Sequence, residues 1–142
     1  MTAPKLLLFR AGGQVFAVEA GAVLEILPTT TPTRIPGAPP AVRGLINVRG
    51  TLVTVVDAAR AIGVGDAVAA TGGSLILVEH RSRPIALAVD EVLDLVTESD
   101  TILDRRASLP GVRPDLVRAV GASGGQTFVH IATDILLEPL LP

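Results

Sequence analysis

Leu6-Leu7-Leu8-Phe9-Arg10-Ala11-Gly12-Gly13-Gln14-Val15-Phe16-Ala17-Val18, followed after a short gap by Val23-Leu24-Glu25-Ile26-Leu27, reads as a hairpin and a third strand. Two apolar, β-rich runs around a Gly-Gly pair are a strong local signal for a hairpin turn. The same text returns later in the chain. Ile76-Leu77-Val78 stands where Leu7-Leu8-Phe9 stood, Ile85-Ala86-Leu87 where Phe16-Ala17-Val18 stood, and Val92-Leu93-Asp94-Leu95-Val96 where Val23 to Leu27 stood, all at one constant offset. Three matched blocks at constant spacing mark an internal duplication.

A second pair of matches lies further out and is looser. Val117-Arg118-Ala119-Val120 echoes Val42-Arg43-Gly44-Leu45, and Thr127-Phe128-Val129-His130-Ile131 echoes Thr51-Leu52-Val53-Thr54-Val55. Each half therefore holds a hairpin, a third strand and a closing hairpin, with turn signals every ten or so residues. That spacing predicts an all-β chain of two small five-stranded barrels, roughly residues 5–65 and 74–138, forming one domain and joined by the Gly- and Ala-rich segment 63–73. Each barrel is expected to be completed by its own half. Surface-to-volume scaling leaves barrels of this size marginal alone, so the halves should share an apolar interface. The two-residue period of a strand predicts that Leu24, Ile26, Leu93 and Leu95 fill the cores while Val23 and Glu25 face outward.

Between these repeats, Thr29 to Pro40 carries Pro32, Pro36, Pro39 and Pro40, which exclude a helix interior or a central strand and predict an extended surface arm. Thr51 to Val56 is a nearly continuous apolar run, expected to be buried on both faces. Asp57 stands at an N-cap position before a short helix, Ala58 to Ile62, which Gly63 ends. Thr133 or Asp134 is expected to cap a last short helix through Leu137.

Composition narrows the function. Of 142 residues 49% are hydrophobic but only 2% aromatic, so the core is built of Val, Leu, Ile and Ala. Without Trp or Tyr, and with a net charge of −2, the chain lacks both the stacking platforms and the basic surface of a nucleic-acid binder. The absence of Cys excludes thiolate chemistry, disulfides and iron–sulfur clusters. His80 and His130 have no acidic residue beside them at ligand spacing, and no metal or other cofactor is expected. No serine lies in a G-x-S-x-G elbow, and neither glycine cluster has the Lys of a phosphate loop. Asp90-Glu91, and Glu98 with Asp100, read as solvated surface charges. No catalytic residue is expected, and the chain is not read as an enzyme. With no signal-peptide core and no membrane-spanning run, a cytoplasmic location is expected, without direct membrane insertion.

One segment stands apart from the apolar pattern: Gly44-Leu45-Ile46-Asn47-Val48-Arg49-Gly50. A turn at Arg49-Gly50 accounts for Gly50, and Asn47 can bond the nearby backbone. Neither accounts for a long cation at the turn. Val42 to Asp57 closely resembles the G-x-x-N-L-R-G-x-x-x-P-V-V-D-L segment of CheW-like chemotaxis adaptor domains. The resemblance extends over almost the whole chain, through Phe9 to Leu27, Ile35-Pro36-Gly37-Ala38-Pro39, Val89-Asp90-Glu91-Val92 with Asp94, and Val120-Gly121-Ala122. Thr54 departs from it, standing where the family usually has Pro.

The resemblance implies two SH3-like barrels and a non-catalytic coupling protein. Its implied partners are the regulatory domain of a CheA-type histidine kinase and the cytoplasmic tip of a methyl-accepting chemoreceptor. Carried over position by position, it implies receptor contact at Val23, Glu25, Gly44 and Arg49, with Asn47 and Gly50 shaping the turn that presents Arg49. Two alternatives remain at this point: a paralogous adaptor of a pilus-motility or other chemosensory kinase array, and a barrel that binds a small apolar ligand.

Overall fold

The structure is a computed structural model that describes residues 4–65, 72–97, 102–104 and 112–141. Most of the predicted connecting segment 63–73 lies outside these residues, as do Glu98 and Asp100. The strands are β1 (Lys5–Ala11), β2 (Gln14–Glu19), β3 (Val23–Pro28), β4 (Val42–Val48), β5 (Thr51–Asp57), β6 (Ser74–His80), β7 (Arg83–Val89), β8 (Glu91–Thr97), β9 (Ile102–Asp104), β10 (Val117–Ser123) and β11 (Gln126–Ile131). Two short helices, α1 (Ala58–Ile62) and α2 (Thr133–Leu137), follow the closing hairpins.

The predicted all-β class with two subdomains is present, as two sheets. One has the order β8-β1-β2-β11-β10-β9 and the other β3-β6-β7-β5-β4. Neither hydrogen-bond ladder closes on itself among the described residues, and the first sheet gains a sixth strand, the three-residue β9, that the repeat did not announce.

Strand pairing departs from the expectation that each half completes its own barrel. The opening hairpin β1–β2 pairs with β8 and, in parallel, with β11, both from the second half of the chain. Conversely β6–β7 pairs with β3 and, again in parallel, with β5. The duplication has exchanged its opening hairpins, so each sheet contains strands from both halves. Connection length explains why. For β3 to pair with β1 of its own hairpin, the chain leaving β2 would have to pass over β1, about 9.6 Å at the usual strand spacing. The link is Ala20–Ala22, a 3-10 turn whose three residues advance only about 6 Å. A single residue, Asp90, separates β7 from β8, so the same limit applies in the second half.

The exchange leaves β1 and β2 buried on both faces. Leu7, Phe9, Phe16 and Val18 join the main core with Ile76, Val78, Leu87 and Val55, whereas Leu6, Leu8, Ala17 and Phe128 form a smaller core on the other side. The Phe9 and Phe16 rings sit 6.0 Å apart across the hairpin, a favourable tilted pair. Asp57 caps α1 as expected, its Oδ1 accepting the Arg60 N–H at 3.1 Å. The last helix differs: Ala132 occupies the N-cap and makes no side-chain cap. Asp134 turns instead to His80, whose Nδ1 lies 3.3 Å from Asp134 Oδ1 and whose Nε2 lies 3.2 Å from Glu138 Oε2. These acidic neighbours are remote in sequence and were invisible to a reading of local spacing. Asp90 also has a structural task, since its Oδ2 accepts the Gly12 N–H at 3.0 Å and so ties the β1–β2 turn to the start of β8.

Candidate functional site

The β4–β5 hairpin turns through Arg49 and Gly50, both at positive φ (50° and 87°). That is a type I′ geometry, for which Asn-Gly or Gly-Gly is the usual choice. The opening and closing hairpins β1–β2 and β10–β11 do use Gly-Gly at their turns. At Arg49, as at Arg81 and Ser82 in the β6–β7 turn, the chain instead holds a side chain in the left-handed region, a local strain of the kind found at functional positions. Asn47 braces the turn, its Oδ1 accepting the Gly50 N–H at 2.8 Å.

The Arg49 guanidinium reaches across to Glu25 on β3 and pairs in a two-pronged manner. Nη1 donates to Oε1 at 3.2 Å, and Nη2 donates to Oε2. Strands β3 and β4 are opposite edges of their sheet, so this pair bridges the two edges where no backbone ladder does. The hydrogen bond from Glu25, and then its negative charge, raise the Arg49 pKa above its ordinary value. Arg49 thus remains charged at any accessible pH. Its side chain is still 69% exposed and has donor capacity left for a partner.

Val23 and Glu25 are only half-buried on the inward side of β3, and Val23 and Leu27 pack against the main core. Leu24 (52% exposed) and Ile26 (45%) face solvent. The predicted phase of β3 is therefore inverted, and Leu95 on β8 is likewise exposed. Every other residue in this segment being apolar, periodicity could place the core on either side. Glu25 can lie on the inward side because β3 is an edge strand and its side chain stays 32% exposed there, beside Arg49. Leu52 corrects a further expectation: Val53, Val55 and Val56 are buried, but Leu52 is 67% exposed, directly across the hairpin from Asn47.

Gly44 is buried rather than presented at the surface. It sits at φ 143° in a β-bulge, and a Cβ there would lie 2.1 Å from the Thr33 carbonyl oxygen. Thr33 and Leu45 exchange two backbone hydrogen bonds of 2.8 Å, which clamp the proline-rich arm onto β4. Gly44 thus acts through the backbone by letting the arm approach. The structure brings Glu25, Asn47, Arg49 and Gly50 together at one end of the subdomain, adds Leu24, Ile26 and Leu52 at its surface, and sets Gly44 beneath the arm.

The CheW-like domain profile matches residues 5–138. The chain belongs to the CheW-like domain family. Among its relatives, the chemotaxis protein CheW of Rhizobium meliloti is 38% identical over 96 residues, which are 68% of this chain and 62% of that protein. A probable chemotaxis protein CheW of Rhizobium etli is 32% identical over 114 residues, 80% of this chain and 72% of the relative. Protein PilI of Pseudomonas aeruginosa is 33% identical over 87 residues, 61% of this chain and 49% of its own length. The crystal structure of the scaffolding protein TtCheW from Thermoanaerobacter tengcongensis superposes with a TM-score of 0.84 at 21% identity, covering 96% of this chain and 94% of that one. This CheW-like fold thus agrees with the two-subdomain architecture expected from the repeat.

The inverted β3 phase has a measurable consequence in this CheW-like domain. Val23→Ala should cost about 1–2 kcal/mol by removing partly buried methyl groups from the core edge. Leu24→Ala should stay within about 0.5 kcal/mol, as exposed substitutions usually do. Urea unfolding of the two variants checks the order; the reverse order would restore the phase read from the sequence.

Proposed function

We propose that this protein is a non-catalytic adaptor that couples the cytoplasmic tip of a chemoreceptor to the regulatory domain of a CheA-type histidine kinase. Family membership supports this reading, and one observation carries it at the level of the site. A strained, exposed Arg49 is held in place by Glu25, whose chain neighbours Leu24 and Ile26 face solvent, as does Leu52 across the hairpin from Asn47. An oriented guanidinium with apolar neighbours is the composition of an interface anchor. Receptor contact falls on this end, with Arg49 touching the partner, Glu25 orienting Arg49, and Asn47 and Gly50 setting the turn. Val23 and Gly44 support the strands from behind.

The reading places the protein in the cytoplasm, at the membrane only through its partners. No helix among the described residues is long and apolar enough to cross a bilayer. Nor do three or more His, Cys, Asp or Glu side chains gather as a metal site among them. A second reading, an adaptor of a pilus-motility or other kinase array, gains support from the likeness to protein PilI.

Mixing the protein with a kinase regulatory domain and a receptor-tip fragment tests the coupling. All three should co-migrate on size exclusion, and removal of this protein should separate the other two. Failure to bind either partner would remove the adaptor reading. Binding only a kinase and receptor of a pilus array would select the second one.

A further inference from the structure

At the opposite end of β4 from the Arg49 turn, three arginines line one cavity of about 360 Å³. Arg34 comes from the proline-rich arm, Arg43 from β4 and Arg60 from α1, with Pro32 forming part of the wall. The nearby carboxylate is Asp57, only 1% exposed. It is already engaged, accepting from Arg43 Nη2 at 2.9 Å and from the Arg60 N–H at 3.1 Å. Neither Arg34 nor Arg60 has an acidic side-chain partner among the described residues.

Three guanidiniums facing one cavity, with a single carboxylate among them, repel one another and leave a local excess of positive charge. The backbone behind them is fixed. Arg34 follows Thr33, which is clamped to Leu45 by two hydrogen bonds, and Arg60 lies in a helix capped by Asp57. Guanidinium forks suit the oxygens of phosphates and carboxylates, and a fixed backbone lowers the ordering cost of binding. We propose that this cavity binds an oxyanion, with Arg34 and Arg60 making the charge-assisted contacts and the Arg43–Asp57 pair supporting them. The ligand would be either the phosphate of a small molecule or the carboxylates of an acidic peptide segment. In either case the site is separate from the Arg49 end, since Arg49 lies six residue steps along the strand from Arg43, about 20 Å.

The test is a ¹H–¹⁵N titration of the intact protein, at constant ionic strength held by chloride, with inorganic phosphate in one arm and a tetraglutamate peptide in the other. Saturable shifts centred on Arg34, Arg43 and Arg60 are expected in at least one arm. Phosphate alone saturating would point to a small phosphorylated ligand, whereas tighter binding of the peptide would point to an acidic segment. The Arg34→Ser, Arg60→Ser double variant should weaken the binding at least tenfold while leaving Tm and the rest of the spectrum in place. Both side chains are exposed, so that variant should fold. No saturable shift in either arm, or shifts of unchanged affinity in the double variant, would overturn the proposal.

Discussion

Residues 1–65 expressed alone should show no cooperative unfolding transition, and should regain one when mixed with residues 72–142. The exchanged topology demands this. Division between the halves cuts the ladders β1 to β8, β2 to β11, β3 to β6 and β5 to β7. What remains in the first fragment is two isolated hairpins and an unpaired third strand, and isolated hairpins are at best marginally stable in water. The fragment also exposes Phe9, Phe16, Val55 and Val56, which the intact chain buries almost completely. Circular dichroism melting of each fragment and of their equimolar mixture is the measurement. A sharp transition from residues 1–65 alone would mean that the halves are independent barrels and that the observed pairing is wrong.

Gly44→Ala should be the most damaging single substitution near the candidate site. The backbone conformation at φ 143° is one that a side chain rarely adopts, and the added Cβ would meet the Thr33 carbonyl oxygen at 2.1 Å and its carbon at 2.6 Å. These are backbone atoms, so no flexible side chain can swing away. Either β4 loses its bulge or the arm lifts and gives up its two hydrogen bonds to Leu45. The expected cost is about 3 kcal/mol, or a fall of roughly 10 °C in Tm for a domain of this size. Hydrogen exchange at Thr33 and Leu45 distinguishes the routes, since arm lifting would speed both amides. An unchanged Tm would show that the arm is not clamped in solution.

Local chemistry was legible in the sequence to different depths. The Gly12-Gly13 turn, the extended arm and the Asp57 cap follow from short-range rules, and each appears where those rules put it. The duplication announced two similar subdomains. It could not announce the exchange, because equivalent strands from either half carry the same apolar pattern and fit the same ladder. Only the short links at Ala20–Ala22 and Asp90 distinguish the two pairings, and their effect is geometric.

At the candidate site, the Arg49 turn stood out as a cation in a glycine position, but its partner Glu25 lies across the sheet and belongs to tertiary structure. The phase of β3 was open because apolar residues stand on both sides of the two-residue period. A carboxylate on the core-facing side of an edge strand can stay partly exposed, as Glu25 does, so its charge does not mark the solvent face. Leu52 was missed because an unbroken apolar run carries no period at all, whereas Arg34 and Arg60 are brought together with Arg43 by the arm and α1.

Arg49→Ala isolates the central claim, that the Arg49 end is a partner-contact surface and not a stabilising device. Alanine carries the same Cβ, so the backbone cost of positive φ is the same in both proteins, and the lost ion pair is largely solvated. The decisive measurement is the affinity of wild type and Arg49→Ala for a receptor-tip fragment, taken alongside Tm and the affinity for the kinase regulatory domain. Receptor binding should weaken about tenfold or more, as for a central interface arginine, with Tm and kinase binding nearly unchanged. Intact receptor binding together with a large fall in Tm would contradict it and leave Arg49 as a clasp between β3 and the β4–β5 turn.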